Sequence, residues 1–460
     1  MSAPTVTPTV SERLVAFVRA GQAAGLPPEV RHEAVRLLLN QLKASVGAAS
    51  HPAVGIIDRW EPGTGRGAHA LWLGTETGPQ HAAMVNGALF EVLDFHDTYI
   101  ETYLHAVSGV LPAVLAAAEV GGQSGAEVVT ALALGIEVEL AVATILMPTG
   151  YFRGFVPLGL VGAVGAATAC GILAGLDDTR LRHALGLAMC TAGGVYETVG
   201  SMGLPWVTAV TTRNGLDAAT LAGAGLTAPA TAFEGDKGML ASYSDESPDK
   251  IAGVLDTLGS QWRILRQTYK VVPTETITHG PVECVGTLRA RAGDRHVDAL
   301  RFGVSPIVVT IADERRARFG VPGNDLEARF DLRFCAAAAW QRQRFGLAEM
   351  QEPAYTDPAI LDLRDRVELV ADAGRATFDG CWAEVRYDDG STDRVDLDAF
   401  LGTPANPVTD AQLGELFLRA ADGHLGEAQA HAVVDAALGL DGASGVAPLM
   451  ACCRLEGWAS

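Results

Sequence analysis

The chain has 460 residues, 48% of them hydrophobic, and a formal net charge of −20. That acidic excess, with only four lysines, excludes the basic patches that nucleic acids and anionic membranes select. Seven cysteines, an odd number without a CxxC spacing, fit a reducing cytoplasm and argue against structural zinc.

The opening MSAPTVTPTVSERL has no basic segment leading into an apolar one, so no secretory signal is expected and the expected location is cytoplasmic. A first helix is predicted over 9–25, opened by Ser11 and Glu12 and closed by Gly25. Pro27-Pro28 starts a second, running to about Ser45. A short helix over 51–61 and an extended piece over 68–74 follow, with EPGTGRG at 61–67 reading as a flexible turn rather than a phosphate cradle. Helices are predicted at 79–92, 107–120 and 125–147, then a glycine-rich one within Gly154 to Leu176, then 178–192 and 208–225. The 154–176 segment has no charged side chain and 127–147 carries Glu137 and Glu139 beyond its opening Glu127, yet Pro157 and the lack of basic flanks favour helices buried in a helical core over membrane spans. The first 260 residues therefore predict a bundle-like domain.

Composition then changes. Segments 261–272 and 299–313 are rich in β-branched and aromatic residues and read as strands, with a helix between them and another over 324–340. Residues 375–398 read as a hairpin turning at Asp389-Gly390, and helical periodicity returns over 404–441. The expected fold class is mainly α: a large all-helical domain from 1–264 and 403–460, and a smaller α+β lid domain, 265–402, inserted between them.

The polar side chains concentrate in one island, LDFHDTYIETYLH, between two apolar helices. It holds Asp94, His96, Asp97, Thr98, Glu101, Tyr103 and His105. So dense a set is costly to bury without partners or a task, although a capped helix–helix loop is the plainer reading. There is no HExxH, no Walker loop and no GxGxxG after a strand. Ser201, in VGSMG, lacks the strand-to-helix context of a hydrolase elbow. His96 has no second metal ligand at usable spacing, so no metal and no cofactor is expected.

Several segments together resemble the MmgE/PrpD family. NGALFEVLDFHDT, with a following histidine and GVLPAVLAAAE, is similar to the family's L-D-F-D-D-T…H-P-S…P-A stretch. GFVPLGLVGAVGAATACGILAGLD is similar to its Gly/Ala-rich helix, RNGLDAATLAGAGLTAP…FEGDKG to the run into F-E-G-x-x-G, and YKVVPTETITHG to Y-K-P-Y-P-x-C-x-x-T-H. The resemblance implies a helical domain built from both chain ends, an α+β lid, a homodimer, and a cleft between the domains that takes a small-molecule substrate. Carried over by position, it implies Asp94, Thr98, His105 and His279 as catalytic residues and Lys270 as a substrate contact. Two imidazoles and a carboxylate in one cleft would suit proton abstraction beside a carboxylate or carbonyl, followed by loss of a leaving group.

The departures run in one direction. The family's G-F-H-P-T-G is Gly154-Phe155-Val156-Pro157-Leu158-Gly159 here, so a histidine becomes Val156. The family's K-R-x-H-x-G gives way to LPWVTAVTTRNG, and no lysine occurs from 44 to 236. A Cys-Arg pair becomes Glu275-Thr276. Val156, Leu158, Leu204, Trp206 and Val207 should make a drier, roomier wall. Tyr151, Arg153 and Arg213 are candidate substrate contacts, with salt bridging or helix capping as their plainer roles. Each lost charge-assisted bond to a carboxylate removes about 1.5–3 kcal/mol. The expected function is a cofactor-independent lyase, a dehydratase or decarboxylase, for a substrate less anionic and more apolar than citrate-type acids. The alternatives are an isomerase, epimerase or cyclase of secondary metabolism, and a non-catalytic binding member.

Overall fold

The computed structural model describes residues 8–60 and 65–454. The first seven residues of the stretch read for a leader, and 61–64 of EPGTGRG, lie outside the described residues.

The helices of the first half form where capping and periodicity place them. Thr9 and Glu12 close a capping box on Val10–Ala24, Ser124 and Glu127 close another on Gly125–Leu146, and Asp177 caps Asp178–Met189. A proline in the first turn starts Pro28–Val46, Pro79–Glu91 and Pro157–Leu173. Gly125–Leu146 is long and apolar enough to cross a membrane, and 89% of its apolar window is buried inside the protein. It packs on Pro157–Leu173 through small residues: a Cβ on Gly135 would sit 2.8 Å from the Gly165 carbonyl oxygen.

The fold is mainly α, and both chain ends enter the helical body. One hydrophobic core gathers residues from 10 to 269 together with Leu326 and residues from 408 to 453. Helices Asp410–Ala421 and Glu427–Leu438 both pack on Pro28–Val46. The guanidinium of Arg36, on that helix, donates to the Val408 carbonyl at 2.6 Å. A separate core spans 277 to 387 and belongs to a four-stranded sheet with its helices.

That sheet runs in the order Val367–Ala371, Val297–Val304, Cys381–Tyr387, Thr392–Leu397. The first pair is parallel and the other two are antiparallel. In Cys381–Tyr387 the alternate residues Cys381, Ala383, Val385 and Tyr387 are buried under helix His279–Ala292. Gly390, at φ 81°, supplies the left-handed residue that the expected hairpin turn requires.

The strand expectations need three corrections. Over 261–272 only Thr268–Tyr269 pairs, and Arg263–Arg266 is a 3-10 turn; Ile264 and Tyr269 are apolar because they fill the helical core. The strand in 299–313 stops at Val304, since Pro306 cannot donate to a ladder and instead starts helix Pro306–Phe319. The helix expected over 324–340 is split into Asp325–Ala328 and Leu332–Arg342, the second capped by Asp331.

Candidate active site

Helix Pro79–Glu91 delivers the polar island to the junction of the two cores. The chain leaves it through a tight turn in which the Asp94 N–H donates to the Glu91 carbonyl at 2.9 Å. Asp94 takes φ 49°, a left-handed conformation that Asp tolerates better than most residues. Asp97 and Thr98 then pair antiparallel with Tyr269 and Thr268. This short ladder sets Lys270 against Asp94, and the two form a buried ion pair. Lys43 braces it from helix Pro28–Val46, donating to the Lys270 carbonyl at 2.5 Å and to Asn40 Oδ1 at 2.8 Å, with its Nζ over the Phe95 ring. Burial, and then the charge of Lys270, hold the Lys43 amine well below the usual lysine range.

His105 precedes helix Ala106–Gly121. Its Nδ1 lies 2.8 Å from the Asp97 carbonyl oxygen. A carbonyl oxygen only accepts, so Nδ1 carries the hydrogen and the Nε2 lone pair is free. Thr98 Oγ1 lies 3.3 Å from the same Nδ1 and 2.9 Å from Thr276 Oγ1. Burial, and then Lys270, push the His105 imidazolium down to about 3, so the ring is neutral.

His96 stands edge-on to His105, with ring centroids 4.1 Å apart. It is fully buried and neither ring nitrogen has a partner. Its Nε2 lies 3.9 Å from Glu91 Oε1 and 3.7 Å from Asp94 Oδ1. Burial, and then the charge of Asp94, raise the Glu91 carboxyl to about 8.

Most of these groups, though not His96, border a partly open cavity of about 80 Å³. Glu91, Asp94, Thr98, His105 and Lys270 form one wall; Val156, Leu158, Leu204, Ile277 and Ile311 form the apolar one. Tyr103, Tyr151, Tyr196 and Phe378 close the space. Phe378 comes from the sheet domain and stacks on Tyr103 at 5.7 Å. Tyr151 and Tyr196 share a hydrogen bond of 3.1 Å, and Arg315 of the sheet domain donates to Tyr196 Oη at 2.6 Å and to Glu275 Oε1 at 2.9 Å. Val156, Leu158 and Leu204 of the expected apolar wall line this cavity, and Trp206 and Val207 do not.

Of the expected site residues, Asp94, Thr98, His105, Lys270, Tyr151 and Val156 line this cavity. His279 does not: it lies buried beside Phe400 at the base of a second, wider groove with Phe95, Val271 and Leu416. It still senses Lys270, and burial followed by that charge pushes it down to about 3. Arg153, Trp206 and Arg213 are also away from the cavity. Arg153 pairs with Asp245 at 2.6 Å and Arg213 with Asp217 at 3.4 Å, while half-exposed Trp206 packs edge-on against Trp60. Trp206 and Arg213 are seven residues apart on helix Gly203–Gly223 and so share a face, whereas Leu204 turns to the cavity.

The family model of the MmgE/PrpD N-terminal domain matches residues 12–252, and that of the MmgE/PrpD C-terminal domain matches residues 272–440. The chain belongs to the MmgE/PrpD family. It is 27% identical to the human cis-aconitate decarboxylase over 354 residues, 74% of this chain and 72% of that protein. It is 25% identical to the Aspergillus terreus cis-aconitate decarboxylase over 402 residues, 82% of this chain and 81% of that protein. A cis-aconitate decarboxylase-like protein of Aspergillus oryzae, oryM, is 24% identical over 475 aligned residues, 96% of each chain.

Within this MmgE/PrpD site, sequence spacing missed two things. Glu91 is on the cavity wall; the signal for it was a single charge inside the apolar run ALFEVL. The ligand atoms of Glu91, His96 and His105 also lie within 4.8 Å of one another, so His96 does have candidate co-ligands, brought to it by the fold. Two imidazoles and a carboxylate could hold a zinc-type cation, but the neighbouring Lys270 charge opposes one there.

Proposed function

We propose that the protein is a lyase that transfers a proton at a carbon near a carboxylate or carbonyl and expels carbon dioxide or water. The observation that carries this reading is the free Nε2 of neutral His105, on the wall of a small and largely apolar cavity beside the Lys270–Asp94 pair. His105 is the proton-transfer group, Thr98 fixes its ring, and Lys270 with Asp94 orients the substrate's carboxylate. A substrate carboxylate, by adding negative charge next to the imidazole, brings His105 back toward its working range. His279, neutral and behind this wall, is a residue that supports the site rather than one that touches the substrate.

Decarboxylation is the first choice between the two reactions. Two of the relatives named above are cis-aconitate decarboxylases, and a dry pocket favours a carboxylate that disperses its charge as carbon dioxide leaves. The substrate is small, carries few carboxylates and has an apolar body. Among the described residues, the lining has one cationic side chain, Lys270, against three carboxyls, Glu91, Asp94 and Glu275. A tricarboxylate finds too few donors there. The proposal includes a cytoplasmic homodimer that needs no cofactor. An isomerase, epimerase or cyclase is the second reading, favoured by two proton-carrying groups, His105 and Glu91, on one cavity.

The test is to incubate the protein with short-chain unsaturated and hydroxylated carboxylic acids and follow product mass and released carbon dioxide. Loss of carbon dioxide or water from a substrate with one or two carboxylates is expected. A product of unchanged mass favours the isomerase reading. Ordinary turnover of 2-methylcitrate or cis-aconitate refutes the assigned substrate class.

A further inference from the structure

We propose that Glu91 is a catalytic acid of this cavity and that His96 is the positioning residue linking it to His105. The inference rests on the lyase reading and names the group that supplies its proton.

Ion pairing and burial disfavour the other candidates: Lys270 and Tyr196 are engaged by Asp94 and Arg315. Asp94 is held by Lys270, and Glu275 by Arg315 at 2.9 Å. In the free protein His105 is neutral, so its Nε2 takes up a proton before it can pass one on. Burial pushes the hydroxyls of Tyr103 and Tyr151 above the usual tyrosine range, which makes them weaker acids. Glu91 is buried on the wall, and its Oε2 has no hydrogen-bond partner. The charged groups facing it are Asp94 and Asp97, which favour a proton on it, and Lys270, which opposes one. Burial adds to the first two, so the carboxyl keeps its proton at neutral pH.

His96 supplies the return path. It lies between the two cavity groups, with Nε2 3.9 Å from Glu91 Oε1 and its ring 4.1 Å from that of His105. No side chain holds either of its nitrogens within hydrogen-bond distance, and this position between an acid and a base suits a proton relay. The substrate chemistry that fits is a carboxylate with a carbon–carbon double bond one carbon away. The Glu91 O–H bond breaks as the π pair forms a new C–H bond at the far alkene carbon. The C–C bond to the carboxylate then breaks, its electron pair forms the shifted double bond, and carbon dioxide leaves. Glu91, now a carboxylate, recovers one solvent proton through His105 and His96.

Two measurements test this. Without substrate, infrared difference spectra between the wild type and Glu91→Gln should show a protonated carboxylic-acid carbonyl at neutral pH that fades above about 8. A carboxylate signal at neutral pH overturns the inference. With the best acid from the panel, Glu91→Gln should lower kcat by about 100-fold or more with little change in KM, and Glu91→Asp should restore part of it. His96→Asn should slow turnover and increase the solvent isotope effect while leaving the melting temperature near that of the wild type. Normal turnover by Glu91→Gln, with His105→Ala inactive, overturns the inference and leaves the lyase reading standing. A protonated Glu91 in a wild-type protein that turns over no acid overturns the lyase reading, and the catalytic role with it.

Discussion

His105 gives its Nδ1 hydrogen to the backbone carbonyl of Asp97 at 2.8 Å, which leaves Nε2 as the basic atom on the cavity wall. His105→Ala should therefore reduce kcat/KM by about 10²–10⁴-fold while circular dichroism and melting stay close to wild type. Burial and Lys270 lower this group from an ordinary 6.5 to about 3 in the free protein. The unprotonated form thus persists as pH falls through 6.5, and the acid limb of kcat/KM belongs well below it. An acid limb centred at 6.5 contradicts the assignment.

Glu91 makes stability depend on pH in a direction that can be worked out. Its carboxyl is raised from 4.5 to about 8 in the folded protein. Between those values the native state holds a proton that the unfolded chain has lost, so stability is complete below 4.5 and falls as pH rises through 8. The largest slope is about 1.4 kcal/mol per pH unit. Urea unfolding of wild type and Glu91→Gln across this range should give a steeper decline for the wild type. Parallel curves rule the shift out.

Lys270 and Asp94 are both buried, so removing one leaves the other charged and unpaired. Lys270→Met should destabilise the fold by about 3–5 kcal/mol, and adding Asp94→Asn should recover most of that loss. Denaturant midpoints of the two single variants and the double variant decide this, and additive losses would mean that the pair is not coupled.

Val156 precedes helix Pro157–Leu173 on the cavity wall. Val156→His places a donor at the position where the MmgE/PrpD resemblance implies a histidine. It should raise kcat/KM for dicarboxylates over monocarboxylates by about tenfold or more, the value of one charge-assisted bond. An unchanged preference would place the selectivity elsewhere on the wall.

Prolonged dialysis against a strong chelator should leave activity and melting temperature unchanged. Stoichiometric zinc in the purified protein, lost together with activity and absent from His96→Asn, would assign the Glu91, His96 and His105 set to a cation instead.

Much of this architecture is legible in the chain because its signals are local. Thr9, Ser124 and Asp177 cap the helices they precede, and the Asp389-Gly390 turn sets a hairpin. The polar island also announces itself, since Asp94, Thr98 and His105 are adjacent in sequence and lie on one wall. What local pattern cannot supply is the direction of a side chain across a tertiary contact. Trp206 and Leu204 are two residues apart on one helix, yet one packs on Trp60 and the other faces the cavity. The strand misread at 261–272 has the same cause: Ile264 and Tyr269 are apolar because of the core they enter, not because of a sheet. Glu91 escaped notice because a single acid in an apolar helix gains meaning only when its neighbours in space are known.

The dependence of helix Pro28–Val46 on helices Asp410–Ala421 and Glu427–Leu438 has a consequence for biosynthesis. A ribosome exposes residues 28–46 early and 410–438 some 360 codons later. Throughout that interval the nascent body presents the greasy face of its second helix without its cover, while the sheet domain, contiguous over 277–387, can close first. Chaperone occupancy on stalled nascent chains should peak before residue 410 emerges and drop once the last helices are released.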